Sequence, residues 1–497
     1  MKALPLVLAV PVLLLATDPN PATRRWWSHV QALANDDLAG RDTGSEGYRK
    51  AAAYVVNQFE AAGLRPAGEN NSWYQSVPMR SVRLRTDQSE VALVRSDGTV
   101  RKLEWLRQIT IAARAGAPES VDAPLVFDGQ GPAGDLTGKI LVRLNTGGAG
   151  RRGAAPVQTG ALGTLTIDAT TGPEPPRWPV AYSVAVTLAD AAPAQTSTAM
   201  AFRLSPAVAN LLFEGSGHTY RELADLAASG KPLPRFDLPL RLRAHMKFES
   251  ADLRSDNVLG VLPGSDPALA NEYVVIGAHL DGYGIGEPWN GDRIYNGAFD
   301  DAAYVATLID FAQQLKASGV KLKRSVLFGV WTGEEKGLLG SKWFVAHPTL
   351  PKGAMVANVN LDQLRPIFPL KILTTLALDD STLGDTVRKV AGTMDIRIQP
   401  DPEPERNLLR RSDHWDFMGI GVPAVGFIFG YEKGTPEEAI YREWYAKRYH
   451  SPADDLKQPW DPNAAARFNE FFGKVVMEIA NAPERPKWNP ATPYAPK

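Results

Sequence analysis

The sequence predicts an α/β fold: a mixed, largely parallel central sheet flanked by helices, with a separate β-rich unit inserted ahead of most of it. Three observations lead there. From about residue 257 onward, short apolar runs alternate with loops and with segments of helical periodicity, the rhythm of buried strands joined by helices. Between about 121 and 245 the texture changes to short β-like runs separated by Gly-, Pro- and Ala-rich stretches. The chain has 497 residues, 44% of them hydrophobic, which is enough for more than one core.

Each element follows from its residues. Lys2, an apolar run over 3–16, and then Asp18, Pro19 and Asn20 read as a signal peptide covering 1–17, so the chain is expected to be exported, periplasmic or secreted. That run is shorter than the about 20 residues of a membrane-spanning helix, and no later segment is long and apolar enough for one. A buried N-terminal helix or strand is the alternative. Residues 26–63 read as largely helical: Ala51, Tyr54, Val55, Phe59 and Ala62 recur at helical spacing and Gly63 is a stop, while 38–45 form a polar, Gly-bearing loop before that helix. In the β-rich unit the clearest strands are 124–127 and 139–144, with loops at 147–155 and 172–176. Beyond it, 273–278, 325–331, 355–361 and 423–427 are strands. Residues 302–315, with Val305, Leu308, Ile309 and Ala312 on one face, and residues 337–345 are helices. No internal repeat is present.

Composition narrows the chemistry. A formal net charge of −1 gives no global basic field, which argues against a nucleic-acid partner, and the basic pairs Arg151-Arg152 and Arg410-Arg411 read as solvated surface. The absence of cysteine excludes disulfides, thiolate catalysis and cysteine-ligated metals. Any zinc must therefore use imidazole and carboxylate. Seven histidines can be weighed one by one; His29, His218, His245 and His347 read as structural.

The acids and the remaining histidines fall where strands end. The strand 273–278 runs into His279-Leu280-Asp281, the strand 325–331 through Thr332-Gly333 into Glu334-Glu335, and the strand 355–361 into Asp362. Asp300-Asp301 opens a helix after a Gly-bearing loop, and His450 lies in a later loop. Singly these signals are bland: a hydrogen-bonded structural His, a solvated Glu pair, an N-cap with a first-turn acid. Together they put several acids at the carboxyl edge of one sheet, where sites form in α/β folds and where clustered carboxylates need a cation between them.

Six motifs occur in a fixed order. They are Gly277-Ala278-His279-Leu280-Asp281, Asn296-Gly297-Ala298-Phe299-Asp300-Asp301, Thr332-Gly333-Glu334-Glu335-Lys336-Gly337, Asn360-Leu361-Asp362, Arg411-Ser412-Asp413-His414 and Tyr449-His450-Ser451-Pro452. In order and spacing they resemble the M28 family of zinc aminopeptidases, over most of 38–63 and 257–480. The β-rich unit, with its run at 138–142, looks like the protease-associated domain of many family members.

The resemblance implies a zinc-exopeptidase-like (phosphorylase/hydrolase-like) fold with two Zn2+ per chain. Asp300 would bridge the metals, with His279 and Asp362 completing one ligand set and Glu335 and His450 the other. Asp281 would orient His279, and Asp301 would support the turn at the bridge. Glu334 would be the general base, taking a proton from a water that the zinc pair acidifies and passing it to the leaving amine. Tyr449 would either donate to the developing oxyanion or simply pack, and Asp413 and His414 would lie beside the metals or toward substrate. One departure stands out: family members often carry Asn-x-Ser-Gly after the bridging Asp, where this chain has Asp301-Ala302-Ala303-Tyr304.

The expected organisation is a signal peptide at 1–17, the N-terminal part of the peptidase domain at 18–118, a protease-associated insert at 119–248, the catalytic domain at 249–482 and a Pro-rich tail at 483–497. The expected activity is removal of N-terminal residues from peptides. Alternatives within the fold are a glutaminyl-cyclase-like enzyme with a single zinc and a carboxypeptidase-like enzyme, against which the short segment after His450 speaks. A receptor-like non-enzyme would lack the ligands and the base that this chain keeps.

Overall fold

Tyr273–His279, Ser325–Trp331 and Met355–Leu361 are nearly continuous apolar runs, and a strand of that kind is stable only when both of its faces are covered. In the computed structural model, which describes residues 20–129, 136–145, 160–168, 179–191, 199–351, 353–362 and 365–495, they lie side by side and parallel at the centre of a ten-stranded sheet. Ala424–Phe429 continues the parallel part beyond Met355–Leu361, while Phe248–Leu262 and Tyr74–Leu84 extend the other side antiparallel. The expected strands, and the helices Ala303–Ser318 and Leu339–Ala346, are present to within a few residues.

The strand residues alternate between two cores. Val274, Ile276, Val326, Phe328 and Val330 face a large core built with the helices Pro21–Leu33, Glu46–Ala61, Ala303–Ser318, Leu383–Gly392 and Pro462–Asn481. Val275, Leu327 and Trp331 face the opposite side, against Phe344 and Phe417. The mixed α/β class is therefore a sheet with helices on both faces, parallel at its centre and with antiparallel pairing towards both flanks, where Ile372–Leu376 joins Ala424–Phe429 on one side and Phe248–Leu262 joins Ser325–Trp331 on the other.

The β-rich unit forms a second, eight-stranded sheet with its own core around Phe127, Leu165, Phe202, Phe213 and Leu242. It starts earlier than residue 119. Glu90–Arg95, Val100–Lys102 and Ile109–Ile111 join it, because Leu93, Ile109 and Ile111 fill the same core. One piece of the 119–248 span does the reverse: Val184–Leu188 leaves this sheet and pairs antiparallel with Tyr74–Leu84 at the edge of the large one.

The segment 1–17 expected to be a signal peptide, the expected loops 147–155 and 172–176 and the pair Arg151-Arg152 lie outside the described residues. Among the described residues no helix is long and apolar enough to cross a membrane. The tail past residue 482 packs back on the large unit: Trp488 donates its indole N–H to Gly421 O at 2.9 Å, and Tyr494 meets the Trp415 ring edge-on.

Candidate metal centre

Parallel register brings the strand ends to one edge. His279 is the last residue of its strand and lies opposite Trp331, Asp362 directly follows Leu361, and Glu334-Glu335 follow Trp331 after the two residues Thr332 and Gly333. Gly333, at φ +67°, takes the left-handed conformation that turns the chain there. Asp300 sits in the irregular turn Ala298–Ala302 that opens the helix Ala303–Ser318. Gly297 begins that turn at φ +57°, and a β-carbon on it would stand 2.3 Å from the Asp300 carbonyl oxygen. His450 follows the helix Pro436–Lys447.

Asp300 faces one imidazole with each of its oxygens. Its Oδ1 is 3.2 Å from His279 Nε2, and its Oδ2 is 3.2 Å from His450 Nε2. Asp362 Oδ1 lies 3.9 Å from His279 Nε2, and Glu335 Oε2 lies 3.5 Å from His450 Nε2. The donors thus form two groups, His279–Asp300–Asp362 and Asp300–Glu335–His450, each with atoms within 4.8 Å of one another and with Asp300 in common. Asp300 Oδ2 and Asp362 Oδ1 are buried without a well-aligned hydrogen-bond donor. Imidazole and carboxylate donors suit zinc, and two triplets sharing a carboxylate fit a pair of cations.

The charges of the site call for such cations. Burial pushes Glu334 well above the ordinary carboxylate range, and Asp362, Glu335 and Asp413 add to this against the pull of His279. Burial likewise raises Glu335, and raises Asp362 to about 6. Burial by itself would lower His279, but Glu334, Asp301 and Asp300 hold its imidazole well above its ordinary value. A cation held between these carboxylates would offset the negative charge that burial makes costly.

Around this centre is a hydrogen-bonded frame. His279 Nδ1 lies 3.0 Å from the backbone carbonyl of Asp281, which fixes the ring so that Nε2 faces the site. The Asp281 carboxylate is used elsewhere: it accepts from Thr43 Oγ1 at 3.0 Å and from the Glu334 N–H at 3.0 Å, which fixes the turn before Glu335. Asp301 is fully buried and accepts the His279 N–H at 3.2 Å. Asp454 accepts the N–H groups of Phe299 and Asp300 at 2.9 and 3.0 Å. Arg41, fully buried, donates to the carbonyls of Leu33, Leu280, Asn296 and Gly297, joining the segment just after His279 to the loop that leads into Asp300. Burial lowers its guanidinium to about 10, while Asp454, Asp281, Asp301 and Asp300 oppose that loss. Tyr283 Oη meets His450 Nδ1 at 3.2 Å, and Lys336, paired with Asp42 at 2.9 Å, sits over the Tyr283 ring.

The other expected residues are spread around the centre. Tyr449 stacks on His450, packs against Trp444 and Tyr445, and accepts from Arg411 Nη2 at 3.2 Å. Asp413 is buried with Ser341 Oγ at 2.6 Å, and burial lowers the enclosed His414 to about 4, a neutral ring. The stretch Asp301-Ala302-Ala303-Tyr304 is wholly buried, with Trp26 Nε1 donating to Ala303 O at 3.0 Å and Tyr304 Oη to Phe427 O at 3.2 Å. Small residues at 302 and 303 are what that packing admits. The remaining histidines have local partners: His29 with Tyr54, His218 with Glu222, His245 with Ser120, and His347 on the Trp343 ring.

Sequence reasoning passed over Arg41, Asp454 and Tyr283. Arg41 lies in the polar loop at 38–45 and Asp454 four residues beyond His450; those neighbourhoods were the available signal.

Residues 257–476 match the model of peptidase family M28. Leupeptin-inactivating enzyme 1 of Streptomyces exfoliatus is 26% identical over 217 residues, covering 42% of this chain and 45% of that one. Probable leucine aminopeptidase 2 of Aspergillus oryzae is 28% identical over 217 residues, covering 40% of each. The chain thus spans less than half the length of these relatives. The solved structure of an aminopeptidase from Aneurinibacillus sp. strain AM-1 superposes with a TM-score of 0.61 at 19% identity, covering 95% of this chain and 96% of that one. BSAP, a zinc aminopeptidase from Bacillus subtilis, gives a TM-score of 0.57 at 16% identity, covering 93% and 96%. The two superpositions show a shared fold over more than nine-tenths of the chain.

Proposed function

We propose, from the match of residues 257–476 to the model of peptidase family M28, that this protein is an exported aminopeptidase that removes N-terminal residues from peptides at a two-zinc centre. The observation that carries the reading is Asp300, each of whose carboxylate oxygens faces a different imidazole across 3.2 Å, with Glu334 alongside. His279, Asp362 and Asp300 would hold one ion, and Glu335, His450 and Asp300 the other. When bound, the ions supply Lewis acidity toward a water and toward the scissile carbonyl. Glu334 has no place in either donor triplet, and its Oε2 lies 3.9 Å from His279 Nε2. A carboxyl whose burial favours the protonated form is suited to take the water's proton and return it to the leaving amine. The Asp281 bond to the Glu334 N–H holds that carboxyl in place, and Tyr283 and Tyr449 hold the His450 ring. The β-rich unit is assigned here as a protease-associated insert, extended back to take in the strands from Glu90 to Ile111.

The test is a panel of aminoacyl-anilides and N-blocked peptides, with metal analysis on the same preparation. Cleavage confined to free N-termini with two zinc ions per chain is expected. Cleavage of blocked peptides, or a single zinc with cyclisation of N-terminal glutamine, would overturn the proposal.

A further inference from the structure

A cavity of about 550 Å³ lies between the large sheet and the β-rich unit, and Glu335 and Lys336 form part of its wall. It therefore abuts the metal centre, and its size is that of a small-ligand site. Another part of the wall is the strand pair Tyr74–Leu84 and Val184–Leu188, where Arg83 stands opposite Val184. Ile285, 53% exposed on the hairpin after Tyr283, adds an apolar surface. The short helix Pro179–Ser183 closes against the base of that hairpin through Val180, Ala181, Tyr283 and Tyr295.

The charges along this wall are unequal. Lys336 is neutralised by Asp42 at 2.9 Å, and Glu335 belongs to the metal-binding group. Arg83 is exposed, and among the described residues no carboxylate lies within ion-pair distance of it. Glu249, directly across the strand pair, is engaged by Arg85. What remains is a cavity of mixed polar and apolar lining beside the reacting centre in which, among the described residues, Arg83 is a cation without an ion-pair partner.

We propose that this cavity receives the part of the peptide on the carboxyl side of the scissile bond, and that Arg83 pairs there with a carboxylate of that segment. The assignment rests on the aminopeptidase reading, in which the leaving portion must extend away from the metals. It also gives Val184–Leu188 a use: the β-rich unit lends that strand to the large sheet and thereby builds a wall of the substrate site. The carboxylate can be the C-terminus of a short peptide or an acidic side chain, both of which offer a guanidinium the same two oxygens.

The experiment compares KM for trialanine, its C-terminal amide and Ala-Ala-Asp amide, using the zinc-loaded wild type, Arg83→Ala, Arg83→Lys and Arg83→Glu. A carboxylate-bearing peptide is expected to have a KM about tenfold below that of the amide in the wild type, the scale of one charge-assisted hydrogen bond. The difference should vanish in Arg83→Ala, persist in part in Arg83→Lys and reverse in Arg83→Glu. Preference for trialanine alone assigns the C-terminus; an equal preference for Ala-Ala-Asp amide assigns a side chain. No carboxylate preference in the wild type, or one that survives Arg83→Ala, overturns the proposal. If no free-amine substrate is cleaved at all, the aminopeptidase reading fails by itself. The cavity is then judged by calorimetric binding of the same peptides to Glu334→Gln protein, where binding that needs neither carboxylate nor Arg83 would overturn it.

Discussion

The carboxylate of Asp454 accepts the backbone N–H of Asp300 at 3.0 Å, so the loop that carries His450 also holds the loop that carries the shared carboxylate. A second bond, from the Phe299 N–H at 2.9 Å, makes the clamp two-pronged. Asp454→Ala leaves two buried donors without an acceptor, and each costs about 1–3 kcal/mol. The denaturation midpoint should fall accordingly and zinc affinity should drop with it, while Asp454→Asn, which keeps one acceptor, should lie between. Urea unfolding with and without zinc reads both effects.

Asp300→Ala removes the donor common to both triplets. Fewer than two zinc ions per chain are expected by mass spectrometry of the native protein, with activity lost. Retention of two would exclude the bridge. Chelation of the wild type should abolish activity, zinc should restore it, and the chelated protein should melt at lower temperature, since a ligand that binds only the folded state stabilises it.

Glu334→Gln keeps the size of the side chain and removes its basicity. Two zinc ions should remain bound while kcat falls by about three orders of magnitude or more, at the upper part of the range for a lost general base and beyond. Near-wild-type turnover would show that another group takes the proton.

Ser341 Oγ lies 2.6 Å from Asp413 Oδ1 and 2.8 Å from Asp416 Oδ2, one hydroxyl proton between two carboxyls. Burial raises Asp413 to about 8, with Asp416 and Asp362 adding to the shift against Ser341 and His279, and burial raises Asp416 to about 6. Both shifts are upward, so the folded state holds protons that the unfolded chain has released. The stability they contribute is present below the unfolded carboxylate value of about 4 and is lost as pH rises through the range of about 6 to 8. The chelated protein should therefore melt lower at about pH 8.5 than at about pH 5.5, and Asp413→Asn should flatten the difference. Differential scanning fluorimetry across that range decides it.

Much of this centre could be anticipated from local sequence. Tyr273–His279, Ser325–Trp331 and Met355–Leu361 are apolar runs that only a doubly covered sheet accommodates, and the polar residues after them had to emerge at its carboxyl edge. His279, Glu335 and Asp362 were legible for that reason. Asp300 and His450 lie on loops, where no periodicity places a side chain, and they rested on the resemblance of whole motifs. The start of the β-rich unit was misplaced because Glu90–Arg95 and Ile109–Ile111 are short strands whose membership depends on which core their apolar residues fill.

What the sequence by itself determined is the α/β class, the absence of thiol chemistry and the acids and histidines available at the strand ends, because alternating burial and residue chemistry are local properties of a chain. Tertiary structure alone decided that Asp300 lies between two imidazoles, that Arg41 and Asp454 hold its loop, and that Arg83 faces the same cavity as Glu335. Those relationships join residues up to hundreds of positions apart, and only folding, which offsets the entropy of bringing such distant segments together by burying apolar surface, creates them.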